Sequence, residues 1–188
     1  MSDRGSEYGA ANAHAQAYFC IWLTGLSGAG KTTLARALEG RLTQLGKRAY
    51  IIDGDIVRRG LSSDLGYQQA DRSENVRRVA HVARMMVDAG LIVIVALISP
   101  RLQDRDFARS CFKATEFIEV FVDTPIDVCE ARDPKGLYRR ARSSQQSMMT
   151  GVDLPYEEPL APEFHLTQKP CDLWVEELVD GLERRNLI

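Results

Sequence analysis

Short apolar runs alternate along the chain with longer stretches in which apolar residues recur at helical spacing. Tyr18-Phe19-Cys20-Ile21-Trp22-Leu23, Ala49-Tyr50-Ile51-Ile52, Leu91 to Ile98, Phe117 to Val122 and Phe164 to Thr167 predict strands. The run Leu91–Ile98 is the most apolar and predicts a central parallel strand buried on both faces. Leu34, Ala35, Leu38 and Leu42 predict a helix after the first strand. A second helix is expected from Asp71 to about Asp88, stopped by Gly90, with Val76, Val79, Ala83, Met86 and Val87 as its stripe. Asp104–Cys111 reads as helix with Arg101, Arg105 and Arg109 on one side, and Pro125 opens another that ends near Arg132. The last helix is expected to be capped by Asp172, with Trp174, Val175, Leu178, Val179 and Leu182 buried. Alternating strand and helix imply a doubly wound α/β fold, a parallel sheet flanked by helices.

The rhythm fails in two places. Residues 1–16 have no period and read as a flexible lead-in to a single domain over 17–188. Asp133–Pro162 is rich in Arg, Ser, Gln, Gly and Pro and carries Lys135, Arg139, Arg140 and Arg142. A stretch of that length reads either as a basic lid over a reactive site or as a solvated basic loop.

Composition narrows the functional classes. The chain has 188 residues, 45% hydrophobic and 27% charged, which suits one globular domain. A formal net charge of −2 argues against nucleic-acid binding through a broad basic surface, so arginine clusters read as sites for one small anion. No apolar run reaches the roughly 20 residues of a membrane helix, and no signal sequence opens the chain. Cys20, Cys111, Cys129 and Cys171 form no C-x-x-C pair; reduced thiols, three of them buried, and a cytoplasmic location are expected.

Chemistry first appears where the opening strand meets its helix. Gly25-Leu26-Ser27-Gly28-Ala29-Gly30-Lys31-Thr32-Thr33 carries the pattern Gly-x4-Gly-Lys-Thr between a buried strand and a helix start, as a phosphate loop requires. The glycines let backbone N–H groups turn around a polyphosphate, and the helix N-terminus adds positive partial charge. Lys31 is expected to reach the β- and γ-phosphates of ATP, and Thr32 to ligate Mg²⁺. The second strand ends in Asp53-Gly54-Asp55, placed either as active-edge carboxylates or as the cap of a helical turn at Ile56-Val57-Arg58. Tyr67, beside Gly66, reads equally as a packing residue or as a platform for a planar ring. Arg72 and Asn75 share a helix face, whereas Arg77, Arg78 and Arg84 read as solvated or paired outside and His81 as a surface residue. Ser99-Pro100 puts a hydroxyl at the sheet's active edge.

The GTPase sequence Asn-Lys-x-Asp is absent, and no acidic residue ends the apolar strand as in a motor ATPase. A second polar set, Asp55, Arg58, Arg72, Asn75, Ser99 and the basic stretch, suits a second anionic ligand gripped by guanidinium groups. That is the layout of a small-molecule kinase; a regulatory module that binds nucleotide without transfer is the other class.

From about residue 20 onward the chain resembles the adenylylsulfate kinase (APS kinase) family. The resemblance rests on Gly25–Thr33, Asp53-Gly54-Asp55, Asp71–Arg78, Ile98-Ser99-Pro100, Arg132–Tyr138 and Thr150–Glu157. It implies ATP-dependent phosphorylation of the 3′-hydroxyl of adenosine 5′-phosphosulfate (APS), giving PAPS and ADP in sulfate assimilation, with Mg²⁺ as cofactor. By the same resemblance the catalytic residues are Asp55 as base, Lys31 and Ser99, the last a candidate phosphoserine; Thr32 and Asp55 order the metal. Arg58, Tyr67, Arg72, Asn75, Ile98, Ser99, Lys135, Met148 and Met149 face the acceptor. A homodimer and a sulfurylase partner are further expectations of the resemblance. The chain departs from the family pattern at Met149, where Phe is usual, at Ile56, where many members have Asn, and at Arg101-Leu102, where Tyr-Arg is usual. These bear on the acceptor's base, and kinases of other 5′-modified nucleotides, cytidine-based ones among them, are the alternative.

Overall fold

The computed structural model describes residues 17–143 and 148–188. The expected lead-in, 1–16, and residues 144–147 of the expected lid lie outside the described residues. In chain order the elements are β1 (Cys20–Thr24), α1 (Lys31–Gln44), β2 (Ala49–Asp53), α2 (Gly54–Arg59), α3 (Gln69–Asp88), β3 (Ile92–Ala96), α4 (Leu102–Ser110), β4 (Phe117–Val122), α5 (Ile126–Arg132), α6 (Leu137–Ser143), β5 (Phe164–Leu166) and α7 (Cys171–Arg184). The five strands form one parallel sheet in the order β2-β3-β1-β4-β5.

β1 is the hub. Ile21 pairs with Ile94 of β3 on one side and Ile118 of β4 on the other. The first half of the chain builds outward on one side of β1 and the second half on the other. The topological switch, and the crevice it opens, therefore lie at the C-terminal end of β1. Strand alternation divides the core. Phe19, Ile21 and Leu23 join Leu34 and Leu38 of α1 and Leu178 and Leu182 of α7, while Cys20 and Trp22 join Val76 and Val79 of α3 and Ala108 of α4.

Tertiary contacts moved several boundaries. α3 begins at Gln69 rather than Asp71, because the Asp71 carboxylate accepts the Gln68 N–H (3.3 Å). α4 begins at Leu102 rather than Asp104, because the Glu157 carboxylate accepts the Leu102 N–H at 2.7 Å. α7 starts at Cys171 behind Pro170, and Asp172 lies in its first turn instead of capping it. The stretch expected as one lid divides in two. Its first part contains α6, and its second docks on the sheet through Tyr156 and Glu157.

All four cysteines are free, but only Cys20 and Cys129 are buried; Cys111 and Cys171 are half-buried. His81 is exposed, as expected. The outward arginines pair with acids: Arg77 and Arg78 with Glu74, Arg78 also with Asp64, and Arg84 with Asp88 and Glu116. Of the three arginines expected on one side of α4, Arg105 is only 2% exposed, while Arg101 and Arg109 are half-buried. No described helix is long and apolar enough to cross a membrane.

Candidate active site

The loop between β1 and α1 is shaped by what holds its carbonyls. Gly25 and Leu26 oxygens accept from Lys31 Nζ (2.8 and 2.7 Å), Ser27 from Tyr138 Oη (2.9 Å) and Gly28 from Arg132 (3.3 Å). The Ala29 oxygen accepts from Thr124 Oγ1 at 2.9 Å and the Gly30 oxygen from the Leu34 amide at 2.9 Å. With its carbonyls drawn away, the loop offers amides to the crevice, and the N-terminus of α1 adds its partial charge. Gly30, φ 107, sits where a Cβ would meet the Trp174 ring at 3.3 Å. Gly25, φ 143, is tighter, since a Cβ there would lie 2.5 Å from the Val122 carbonyl oxygen. Gly25→Ala is expected to destabilise the fold by about 2 kcal/mol or more, read as a lowered urea midpoint; an unchanged midpoint would refute the close approach.

Lys31 is buried, and desolvation, with the Lys135 charge acting in the same direction, pushes its ammonium down to about 8. Thr32 Oγ1 donates to Asp53 Oδ2 at 2.7 Å, and Asp53 Oδ1 accepts the Asp55 amide at 2.9 Å. Asp53 thus caps α2 and stands against the phosphate loop at once. The carboxylate hydrogen-bonded to Thr32 is that of Asp53, and Asp55, exposed on α2, pairs with Lys135 from the α5–α6 turn. Asp53 is the cap of α2 and Asp55 lies in its first turn, and both carboxylates line the same cavity as Thr32.

One cavity of about 950 Å³ runs from the phosphate loop past Asp53 and Asp55 to Arg58, Tyr67, Arg72, Asn75, Ile98 and Ser99. Nine of its lining residues are Lys or Arg and two are Asp, so its field favours anions. Arg58 lies over the Tyr67 ring, 5.0 Å from the centroid, and the ring is 63% exposed, which supports a platform over a packing role. Arg72 donates to the carbonyls of Tyr67 (2.8 Å) and Met148 (2.6 Å) and to Thr150 Oγ1 (3.1 Å). Burial, and then the nearby Arg58 charge, pull the Arg72 guanidinium below its ordinary pKa; an anion between them would relieve that repulsion. Asn75 Oδ1 is buried and accepts no hydrogen bond among the described residues, so the wall holds an unused acceptor.

Two expectations meet different surroundings. Met148 and Met149 do not line this cavity: Met149 packs against the α1–α7 core and Met148 stands at the surface, its carbonyl held by Arg72. Ser99 lines the cavity but is 3% exposed, with φ 38. Its hydroxyl accepts from Trp22 Nε1 and donates to Thr24 Oγ1, both at 3.1 Å. The backbone pattern alone did not mark Arg36, Arg59, Lys169 or Trp174, which also line the cavity. Trp174 reads from its spacing as core alone, and it is both core and wall.

No cluster of three or more His, Cys, Asp or Glu occurs among the described residues. The oxygens of Thr32 and Asp53 nevertheless fit Mg²⁺, which commonly takes one or two protein oxygens and completes its shell with phosphates and water.

A parallel sheet with a phosphate loop at its switch point, and a second cluster of basic side chains, Arg58 and Arg72, in the same cavity, define a small P-loop phosphotransferase. The sequence model of the family described as Adenylylsulphate kinase matches residues 17–167. The chain is 54% identical over 164 residues to the adenylyl-sulfate kinase of Geotalea uraniireducens, covering 87% of this chain and 78% of the relative. It is 54% identical over 170 residues to that of Aeromonas salmonicida, covering 89% and 87%. The Mycobacterium tuberculosis APS kinase CysC, solved in complex with AMPPNP and APS, superposes with a TM-score of 0.85 at 44% identity, covering 89% of this chain and 99% of that one. The chain belongs to the adenylylsulfate kinase family.

Proposed function

We propose that the protein transfers the γ-phosphoryl group of ATP to the 3′-hydroxyl of adenosine 5′-phosphosulfate, giving PAPS and ADP. The observation that carries this reading is the single cavity joining the phosphate loop to the Arg58–Arg72–Asn75 wall, with Asp55 on the helix between them. The loop amides and Lys31 hold the polyphosphate. Arg58 and Arg72 hold the phosphosulfate, Tyr67 offers a face to the base, and Asn75 Oδ1 accepts from an acceptor hydroxyl or amine. Asp55 takes the hydroxyl proton as the hydroxyl oxygen bonds to the γ-phosphorus and the bond to the β–γ bridging oxygen breaks. Asp55 and Arg58 lie three apart on α2, so one helix face aligns base and anion grip. Lys135, paired with Asp55 before substrate arrives, stays within reach of charge developing on the transferred group. Mg²⁺, held beside Thr32 and Asp53, would neutralise phosphate charge.

The proposal assigns Ser99 a positioning role. Both its proton and a lone pair are engaged inside the protein, which is a poor arrangement for a nucleophile. Ser99→Ala is expected to cost less than about tenfold in turnover and to leave no labelled phosphoenzyme in either protein. A variant that binds both substrates yet turns over nothing would restore the phosphoserine route.

Incubation with labelled ATP, Mg²⁺ and APS, followed by separation of nucleotides, tests the reaction. PAPS formation supports it. Phosphorylation of a cytidine-based acceptor in place of APS would move the assignment to a related kinase, and nucleotide binding without transfer would leave a regulatory module. A homodimer and a cytoplasmic location belong to the same proposal; light scattering that returns a monomer mass would remove the dimer.

A further inference from the structure

Arg105 carries more than its place in the sequence announces. It is a fully buried guanidinium on α4 whose N–H groups reach three separate segments. Nε donates to Glu119 Oε1 of β4 (2.8 Å), Nη1 to the Ser99 carbonyl (2.7 Å) and Nη2 to the Glu157 carbonyl (2.6 Å). Its charge is met by Glu119, which Arg109 also engages at 3.2 Å. The guanidinium also lies 5.7 Å from the centre of the Tyr156 ring, and Tyr156 Oη is 2.8 Å from Thr24 Oγ1.

Two features separate this arrangement from ordinary core support. An apolar side chain often stabilises a core as well as a buried ion pair does, so stability alone does not call for an arginine here. An apolar side chain cannot donate to two carbonyls. Moreover, Ser99 has φ 38, a left-handed conformation that costs a non-glycine residue about 1–3 kcal/mol and persists only where its surroundings impose it. Arg105 grips the carbonyl of that residue, Trp22 and Thr24 grip its hydroxyl, and Ile98-Ser99-Pro100 forms cavity wall.

We propose that Arg105 is a positioning residue for the phosphoryl acceptor: it imposes the Ser99 turn and docks the Tyr156–Glu157 segment against it, so that the Ile98–Pro100 wall keeps its shape. This rests on the reading of that wall as the acceptor side. Arg105 touches neither substrate and acts through Ser99.

The chain's own tryptophans supply a readout independent of substrate. The Trp22 indole N–H donates to Ser99 Oγ at 3.1 Å, and the Trp174 indole N–H donates to the Thr167 carbonyl at 2.7 Å on the opposite face of the sheet. Arg105→Lys keeps the charge beside Glu119 but lacks the fork that spans both carbonyls. In this variant the KM for APS is expected to rise about tenfold while the KM for ATP stays within about twofold. In the unliganded variant the Trp22 indole proton resonance, assigned with Trp22→Phe, is expected to move while that of Trp174 stays. Unmoved Trp22, both resonances moving together, or no change in the KM for APS would each overturn the proposal. Should Arg105→Lys fail to fold, Glu119→Gln, which leaves an acceptor for Nε without the charge, is expected to give the same pattern at smaller amplitude. Failure of both to fold would assign Arg105 to the fold alone. Wild-type protein that makes no PAPS from APS would overturn the functional reading, and the Trp22 resonance would still decide whether Arg105 sets the turn.

Discussion

Lys31→Ala is expected to lower turnover by about 10²-fold or more while the protein stays folded. The ammonium lines the cavity at the phosphate loop, and before nucleotide binds it is spent on the Gly25 and Leu26 carbonyls. Substrate must draw it away from those oxygens, so its interaction grows as charge develops, which is the condition for lowering a barrier. The fold should tolerate its loss because a buried ammonium opposes folding. Its ordinary pKa of 10.5 falls to about 8 in the folded protein, chiefly through desolvation. The unfolded chain therefore binds the extra proton between these values. The opposition is in full force below pH 8 and fades as pH rises toward 10.5, so wild-type stability should rise across that window relative to Lys31→Ala. Denaturant midpoints on both sides of the window check the sign.

The same shift predicts proton uptake on binding. A polyphosphate beside the ammonium raises its pKa again, so nucleotide binding just above pH 8 should draw in a proton and weaken with further rise in pH. Calorimetry in buffers of different ionisation enthalpy measures this directly. A binding enthalpy independent of buffer would mean that Lys31 does not face the phosphates.

Asp55→Asn is expected to cut turnover by about 10²-fold or more with both substrates still binding. Asp55 is exposed and its side-chain partner is Lys135, while the carboxylate that caps α2 is that of Asp53. Asparagine should therefore leave the helix and the phosphate loop in place and remove only the proton acceptor. Single-turnover assays with equilibrium binding of AMPPNP and APS separate the two effects. Normal turnover in a folded variant would take Asp55 out of the chemistry, and loss of binding would make it a ligand of the acceptor instead.

Much of this molecule was legible along the chain. β1 reads as a buried strand from its apolar run alone, and all five of its residues are buried, Ile21 and Leu23 to one side and Cys20 and Trp22 to the other. The phosphate loop was legible as well, because a turn that presents amides needs only its own glycines and the helix that follows. The family motifs carried the reaction class for a related reason: each places its chemical groups within a few residues of one another.

What the chain order left open was decided by segments far apart in sequence. Which aspartate meets Thr32 was one such matter: Asp53, at the end of β2, accepts from Thr32, while Asp55, in the first turn of α2, meets Lys135 from a distant turn. By the family resemblance Met149 faces the acceptor, yet core packing draws it in beside the α1–α7 cluster. Arg105 reads only as one of three arginines on one side of a helix, until the pairing of β1 with β4 sets Glu119 beneath it. Local pattern dictates which residues turn inward, because periodicity is a property of the backbone. Which partner each meets there is dictated by sheet order, since only the assembled sheet brings a carboxylate on one strand against a guanidinium on another helix and a carbonyl on a third segment.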